Sequence, residues 1–166
     1  MQIKTSFTDG VIPDRYSKKT DELVQGCAAV SFPFQVLDLP EACETLAWSL
    51  VDYDSIPVCG FAYIHWVVAN VPASQTQFEA DFSRLDKTHL HGVNSLVSKF
   101  LTDDFSLVDH YYIGPYPPDK DHRYTLTVYA LDSQLDLPEG FHLNELMHAT
   151  EGHLLAKAEA DFIGKF

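Results

Sequence analysis

The chain has 166 residues, of which 24 are Asp or Glu and 11 are Lys or Arg, giving a formal net charge of −13 at pH 7. This length suits one domain with a substantial core. A hydrophobic content of 46% with 21% charged residues excludes a disordered chain. The negative charge disfavours nucleic acid and anionic membranes, because both bind clustered basic side chains. We therefore predict a single domain over residues 1–166, with no nucleic-acid partner and no stable membrane insertion.

The N-terminal stretch MQIKTSFTDG lacks the charged start and apolar core of a signal peptide, and no apolar run is long enough for a membrane helix. The expected location is the cytoplasm. Cys27, Cys43 and Cys59 form no Cys-x-x-Cys pair and have no zinc-finger spacing. We interpret them as reduced thiols that are mostly buried.

The first half of the chain has the pattern of short β-strands. Residues 1–33 are interrupted by turn signals, which favour short strands over helices. The segment TLAWSLVDYD, 45–54, alternates as an extended strand and carries Asp52 and Asp54 on its inward, apolar face. The segment YIHWVVANV, 63–71, is apolar on both faces, which predicts a central strand.

The second half predicts one further strand and helices near its end. Residues 77–89 fit either a helical turn or a long surface loop, and residues 91–114 are loop-rich. The segment YTLTVYAL, 124–131, alternates cleanly as a strand. Apolar residues at helical spacing predict helix over 143–150 and again over 154–164. Short strands without a βαβ rhythm favour a mainly β, antiparallel sandwich with a C-terminal helical segment.

Polar residues stand where these strands should be apolar. Asp52 and His65 interrupt apolar strand faces, and a buried carboxylate is costly unless it is paired. His122 has the strand parity of the inward-facing Tyr124, so the sequence permits the three polar residues to converge at neighbouring strand ends. Structural explanations stay open: His65 as a core residue, Asp52 as a turn acid, and the prolines of 115–118 as a stiff surface turn.

Other chemistries have weaker support. The only His-x-His pair, His89 and His91, lies in a predicted loop, so a metal site is not expected. No Gly-x-Ser-x-Gly motif marks a nucleophile, and no cysteine has a neighbour that would clearly lower its pKa. The chain has no Gly-rich phosphate loop or dinucleotide fingerprint. We predict no cofactor.

Three segments together resemble a known family. DYDSIP at 52–57, HWVVANVP at 65–72 and GPYPPDKDHRYTLTVYALD at 114–132 resemble the phosphatidylethanolamine-binding proteins, specifically their bacterial Raf-kinase-inhibitor-like branch. The resemblance implies an antiparallel Greek-key β-sandwich with short helices. It also implies a small pocket that accepts an anionic head such as phosphate or phosphoethanolamine.

Carried over position by position, the resemblance implies that the pocket residues are Asp52, Tyr63, His65, Gly114, Pro115, Pro117, His122 and Tyr124. Two departures stand at the first motif. The family's proline between the two acids is Tyr53 here, and the second acid reaches its proline through Ser55-Ile56, one residue longer than usual. The shape of that pocket wall, and with it the ligand specificity, is therefore expected to differ.

These observations predict a non-enzymatic protein that binds a small anionic ligand carrying a phosphate, phosphoethanolamine or carboxylate group. His65 and His122 would donate hydrogen bonds to the anion, and Asp52 would orient and charge an imidazole. An alternative is an inhibitor or scaffold that acts through its surface on a kinase or protease. A third is a weak hydrolase or metal enzyme. A homodimer is expected because dimers are the commonest assemblies.

Overall fold

The structure is a computed structural model that describes residues 1–166. It is mainly β, as predicted. Its strands are β1 Gln2–Lys4, β2 Leu23–Val24, β3 Cys27–Ala28, β4 Phe34–Leu37, β5 Thr45–Asp52, β6 Tyr63–Pro72, β7 Gln77–Phe78, β8 Leu90–His91, β9 His122–Leu131 and β10 Leu154–Gly164. The helices are α1 Ile56–Cys59, α2 Phe82–Leu85 and α3 Leu143–Ala149, with 3₁₀ turns at Thr8–Gly10, Asp14–Tyr16 and Ser95–Val97.

The strands form three antiparallel sheets. The largest has the order β10-β9-β5-β6-β8, and within it β9-β5-β6-β8 is the Greek-key arrangement, in which a later strand returns beside the first. The second sheet has the order β1-β4-β7, and β2 pairs with β3 in a two-stranded ribbon. The strand β7 belongs to the smaller sheet, so the chain changes sheets between β6 and β8.

An aromatic core joins the two larger sheets. Phe34 of β4 makes T-shaped contacts with Trp48 of β5, at 5.4 Å between ring centroids, and with Trp66 of β6, at 6.1 Å. Phe78 of β7 lies 4.8 Å from Trp48. Edge-to-face aromatic pairs stabilise a core by about 1 kcal/mol each beyond the area they bury. These contacts across the two sheets are compatible with the predicted sandwich.

The large sheet is also covered on its other face. All eight residues of β5 are buried, so the expectation of one inward face was too narrow. A second apolar cluster explains this burial: Ala47 and Val67 of the sheet pack with Phe141 and with Leu146 of α3. The strand β5 therefore has no solvent face, and any polar side chain on it must find a partner within the protein.

The prediction of helix over 154–164 is wrong, because this segment is the strand β10. Its residues alternate: Ala156, Ala158, Ala160 and Phe162 are more buried than their neighbours, and Phe162 pairs with Tyr124 of β9. A spacing of four residues is an even number, so it keeps residues on one face of a strand as well as of a helix. The predicted helix over 143–150 is confirmed by α3.

Three further predictions concern residues 77–89, the cysteines and a membrane helix. Residues 77–89 contain the short strand β7 and the one-turn helix α2, so of the two predicted alternatives the helical turn is confirmed and the long loop is wrong. All three cysteines are free, but Cys27 and Cys43 are only half-buried and Cys59 is exposed, so the expectation of mostly buried thiols is wrong. No helix has the length and apolar character that crossing a membrane requires.

Candidate ligand-binding site

The strand register brings the polar strand ends together. Asp52, the last residue of β5, is paired with Tyr124 of β9 on one side and with Tyr63 of β6 on the other. Asp52 is 3% exposed, and its carboxylate has two partners. Its Oδ1 accepts a hydrogen bond from Ser55 N at 3.0 Å, and its Oδ2 lies 2.7 Å from His122 Nδ1. The predicted convergence of strand ends is therefore present in the fold.

His122 lies between two carboxylates. Its Nδ1 contacts Asp52 as described, and its Nε2 lies 2.8 Å from Oδ1 of Asp119. Ionised carboxylates only accept hydrogen bonds, so both ring nitrogens donate and the ring is an imidazolium. Burial lowers the pKa of His122, but the hydrogen bonds to Asp52 and Asp119 outweigh it and raise the pKa above its ordinary value. This buried ring therefore carries a positive charge.

His65 is in the opposite state. Its Nδ1 lies 2.8 Å from the carbonyl oxygen of Ile113, which can only accept, so the proton is on Nδ1. Burial lowers the pKa of His65 to about 4, although the Ile113 hydrogen bond and the charge of Asp52 raise it. The ring is neutral at physiological pH, and its free Nε2 is an acceptor. The expectation that both histidines donate to an anion is wrong for His65.

Tyr124 supplies a hydroxyl donor beside the two histidines. Its ring makes a T-shaped contact with His65 at 5.0 Å between centroids. Burial, and then the nearby Asp52 carboxylate, raise the pKa of Tyr124 far above its ordinary value, so the hydroxyl keeps its proton. Gly164 of β10 makes room for this ring, since a Cβ there would lie 2.5 Å from a Tyr124 ring carbon and 2.7 Å from Pro115.

These side chains line a cavity of about 480 Å³. Of the eight residues that the resemblance implied, six line it: Asp52, Tyr63, His65, Gly114, His122 and Tyr124. Gly114 allows the wall to close, since a Cβ there would lie 2.5 Å from the Tyr16 carbonyl oxygen and 2.8 Å from Ala28. Pro115 and Pro117 are buried and do not line the cavity. Pro115 and Pro117 therefore shape the wall from behind, whereas Pro118 lines the cavity.

The altered first motif holds the neighbouring strand in place through both of its acids. While Asp52 contacts the ring of His122, Oδ2 of Asp54 accepts a hydrogen bond from the backbone N of Arg123 at 2.9 Å. The extra residue, Ser55, donates its backbone N–H to Asp52 and accepts one from Tyr63 on its hydroxyl. The longer DYDSIP segment therefore anchors the start of β9 and the start of β6.

Two charged residues of this site were not predicted from the sequence. Lys18 is the only lysine or arginine that lines the cavity, and its Nζ donates to the carbonyl oxygen of Pro117 at 2.7 Å. Its ammonium also lies 4.6 Å from the ring centroid of Phe166. Asp119 covers His122 from the solvent side. Neither residue belongs to a strand or helix, so no periodic pattern marks it, although the run DKDHRY placed Asp119 close to the predicted histidine.

The rest of the cavity is largely apolar. Its lining includes the side chains of Val58, Leu96, Phe105 and Ile113. Tyr63 stands between this apolar part and His65, whose ring centroid is 5.2 Å from its own. Burial raises the pKa of Tyr63 to about 12, so its hydroxyl also stays protonated. The cavity thus has a polar end, formed by the three strand ends, and a larger apolar region.

Fold and site together define a mainly β, antiparallel protein with one polar-ended cavity at the ends of its central strands. Comparison with known proteins gives the family. The family model described as phosphatidylethanolamine-binding protein matches residues 3–163. The chain is 44% identical over 156 residues to the protein YxkA of Bacillus subtilis (strain 168), with 92% of each chain covered. It therefore belongs to the phosphatidylethanolamine-binding protein family, in its bacterial branch.

More distant relatives and solved structures agree. A UPF0098 protein of Methanothermobacter thermautotrophicus is 32% identical over 164 residues, covering 96% of this chain and 95% of its own. The crystal structure of a phosphatidylethanolamine-binding protein homologue, CT736 of Chlamydia trachomatis, has a TM-score of 0.78 at 27% identity and covers 99% of this chain and 95% of its own. Escherichia coli YbcL, at 19% identity and a TM-score of 0.77 over 99% of this chain and 98% of its own, shares the fold.

Proposed function

We propose that this protein is a non-enzymatic binding protein for a small ligand with an anionic group, a phosphate, phosphoethanolamine or carboxylate. One observation carries the proposal: the charged His122, the Tyr124 hydroxyl and the Lys18 ammonium line one cavity. All three can donate hydrogen bonds to an oxyanion. The family name, which mentions a phosphate-bearing lipid headgroup, agrees with this chemistry.

The side chains of the cavity do not favour catalysis. The carboxylate of Asp52 and the imidazole of His122 are bonded to each other. The hydroxyl of Ser55 and the thiol of Cys59 lie within hydrogen-bonding distance of backbone carbonyl oxygens rather than of a side-chain base. A nucleophile without a neighbouring base is weak at neutral pH. Binding without turnover is therefore the function we propose.

Titration with inorganic phosphate and with phosphoethanolamine tests this proposal. We expect millimolar affinity, because the net charge of −13 opposes anion binding. Affinity should fall as pH rises through the raised pKa of His122, because the imidazolium is then lost. The variant His122→Gln should bind at least tenfold more weakly, on the order of the loss of one charged hydrogen bond. The exposed His148 of α3 provides the control, His148→Gln. Wild-type binding that is absent, or that survives His122→Gln unchanged, would refute the proposal.

A second candidate, action through the surface on a kinase or another protein, is favoured by one feature. The segment that leads to the cavity exposes large apolar side chains, with Phe100 88% and Leu107 60% exposed. Both residues belong to the chain segment between the 3₁₀ turn Ser95–Val97 and β9, and exposed apolar patches are typical of protein interaction sites. The double variant His65→Ala/His122→Ala separates the two candidates. Inhibition of a partner that survives this change does not depend on the cavity.

A further inference from the structure

The carboxylate of Asp119 occupies one of the two donor positions of His122. Its Oδ1 lies 2.8 Å from Nε2, while the side chain of Asp119 is 50% exposed and that of His122 only 1%. The inner nitrogen, Nδ1, is held by the buried Asp52. The outer N–H of the imidazolium is therefore already bonded to an anion that belongs to the protein.

An incoming oxyanion would need the same N–H. A hydrogen atom bonded to one carboxylate oxygen at this distance is not available to a second acceptor in good geometry. The hydrogen bond between an imidazolium and a carboxylate is charge-assisted and therefore strong. A ligand can use His122 only when the Asp119 carboxylate moves away.

The segment around Asp119 is lightly held compared with its two flanks. The backbone N–H groups of Asp119, Lys120 and Asp121 make no hydrogen bond to a backbone carbonyl. On one side, the carbonyl oxygen of Pro117 is bound by Lys18 Nζ. On the other, the carboxylate of Asp121 is bound by Lys165 Nζ at 2.7 Å and by a backbone N–H at 2.9 Å. Few backbone hydrogen bonds mean that local opening costs little, so Asp119 can leave His122 without disturbing its neighbours.

We propose that Asp119 is a built-in competitor for the anion position of this cavity: its carboxylate is bound by His122, and a ligand binds by exchanging with it. This inference rests on the proposed function. The competitor lowers the affinity of every anion that displaces it by the same factor, so the choice of ligand depends on the other donors of the cavity. A phosphate group has more oxygens than a carboxylate and can accept further hydrogen bonds from Tyr124 and Lys18. The cavity should therefore prefer phosphate groups to carboxylates.

Variants at Asp119 test the exchange, with Asp121 as the matched control. Inorganic phosphate and acetate are titrated into the wild type, Asp119→Ala, Asp119→Asn and Asp121→Asn at pH about 6, below the ordinary histidine pKa. Asp119→Ala should bind phosphate about tenfold more tightly than the wild type, because an intramolecular competitor is gone. Acetate should gain by about the same factor, because it displaces the same competitor. Asp121→Asn removes the same charge nearby and should change affinity less than about twofold.

The outcomes separate this inference from the proposed function. If the wild type binds phosphate and Asp119→Ala binds no more tightly than Asp121→Asn, the competitor is refuted while anion binding stands. If phosphate binds to none of the four proteins, both are refuted. NMR titration of the His122 ring gives an independent readout. Its pKa should fall in Asp119→Ala and stay unchanged in Asp121→Asn, and an unchanged pKa in Asp119→Ala would contradict the contact.

Discussion

Two regions of this protein bury histidines, and they treat them in opposite ways. At the cavity, His122 is 1% exposed and bonded to two carboxylates, so it is charged. At β8, His89 and His91 are 7% and 4% exposed, and none of their four ring nitrogens has a hydrogen-bond partner. The carboxylate of Asp86 lies 3.3 Å from His89 Nδ1 but not in hydrogen-bonding geometry. Burial alone therefore does not determine the charge of a histidine; its partners do.

The β8 pair is surrounded mainly by aromatic rings. His89 stacks on Phe82 at 4.7 Å between centroids, and His91 makes a T-shaped contact with Tyr111 at 5.0 Å. Burial lowers the pKa of His91 to about 4, and the neighbouring His89 lowers it further than Glu139 raises it. Burial also lowers the pKa of His89. Both rings are neutral in the native protein and serve as part of its packing.

The two regions should respond to pH with opposite signs. The pKa of His122 is raised on folding, so its contribution to stability is complete below its unfolded pKa and is lost as pH rises through its folded pKa. The pKa of His91 is lowered on folding, so its contribution is complete above about 6.5, its unfolded pKa. That contribution is lost as pH falls toward its folded pKa of about 4.

The largest expected effect comes from removing the inner partner of His122. Asp52→Ala leaves a buried imidazolium with one carboxylate instead of two, and it leaves the Ser55 N–H without its acceptor. Breaking a buried ion pair by removing one partner costs about 3 kcal/mol. Urea denaturation at neutral pH measures this loss. The control, Asp54→Ala, removes only a half-buried acceptor for the Arg123 N–H and should cost less than half as much. Equal losses in the two variants would mean that the His122 charge does not depend on Asp52.

Protonation of the β8 pair should account for part of the stability that the fold loses at acid pH. His91→Phe replaces a neutral, unpartnered ring by one that cannot be protonated, so the free energy of unfolding should fall less between pH about 6.5 and about 4 than in the wild type. The full shift of the His91 pKa corresponds to on the order of 3 kcal/mol. Denaturation curves at several pH values measure the difference in slope. His148→Phe, at an exposed position, should leave the slope unchanged. A wild-type slope in His91→Phe would mean that His91 is charged in the native state.

Strand periodicity and the family resemblance were enough to predict the main strands and most of the cavity residues. The alternation of YTLTVYAL predicted β9, and strand parity placed His122 and Tyr124 on the same inward face as Asp52. In the structure Asp52 of β5 is the register partner of Tyr124 in β9. The same parity failed at β10, because an alternating strand whose apolar residues recur every fourth position imitates a helix. Patterns of period two and period 3.6 cannot be separated by residues four apart alone.

The charge states at the cavity needed the fold. His65 and His122 look alike in the sequence, yet a carbonyl oxygen from Ile113 makes one neutral and two carboxylates make the other cationic. Asp52 ends a strand and was predicted, but Ile113 and Asp119 lie in segments outside the strands, where no periodic pattern predicts direction. Lys18 reaches the cavity from 99 residues before Pro117, the residue whose carbonyl oxygen holds it. Long-range contacts of loop residues are the part of a binding site that a sequence pattern does not contain.

The smallest expected effect distinguishes the two cavity histidines by ligand chemistry. The neutral His65 has an acceptor nitrogen to offer, and at pH about 6 a phosphate group carries a proton that it can donate, whereas sulfate carries none. The wild type should therefore favour phosphate over sulfate, and His65→Phe should reduce the phosphate-to-sulfate affinity ratio by about tenfold, the value of one hydrogen bond. His122→Gln should weaken both anions and should not lower the ratio, since the imidazolium attracts the doubly charged sulfate at least as strongly as the singly charged phosphate. Calorimetric titration of the three proteins gives both ratios. If the ratio falls only in His122→Gln, the acceptor nitrogen belongs to His122 and not to His65. The charge states assigned to the two rings would then be wrong.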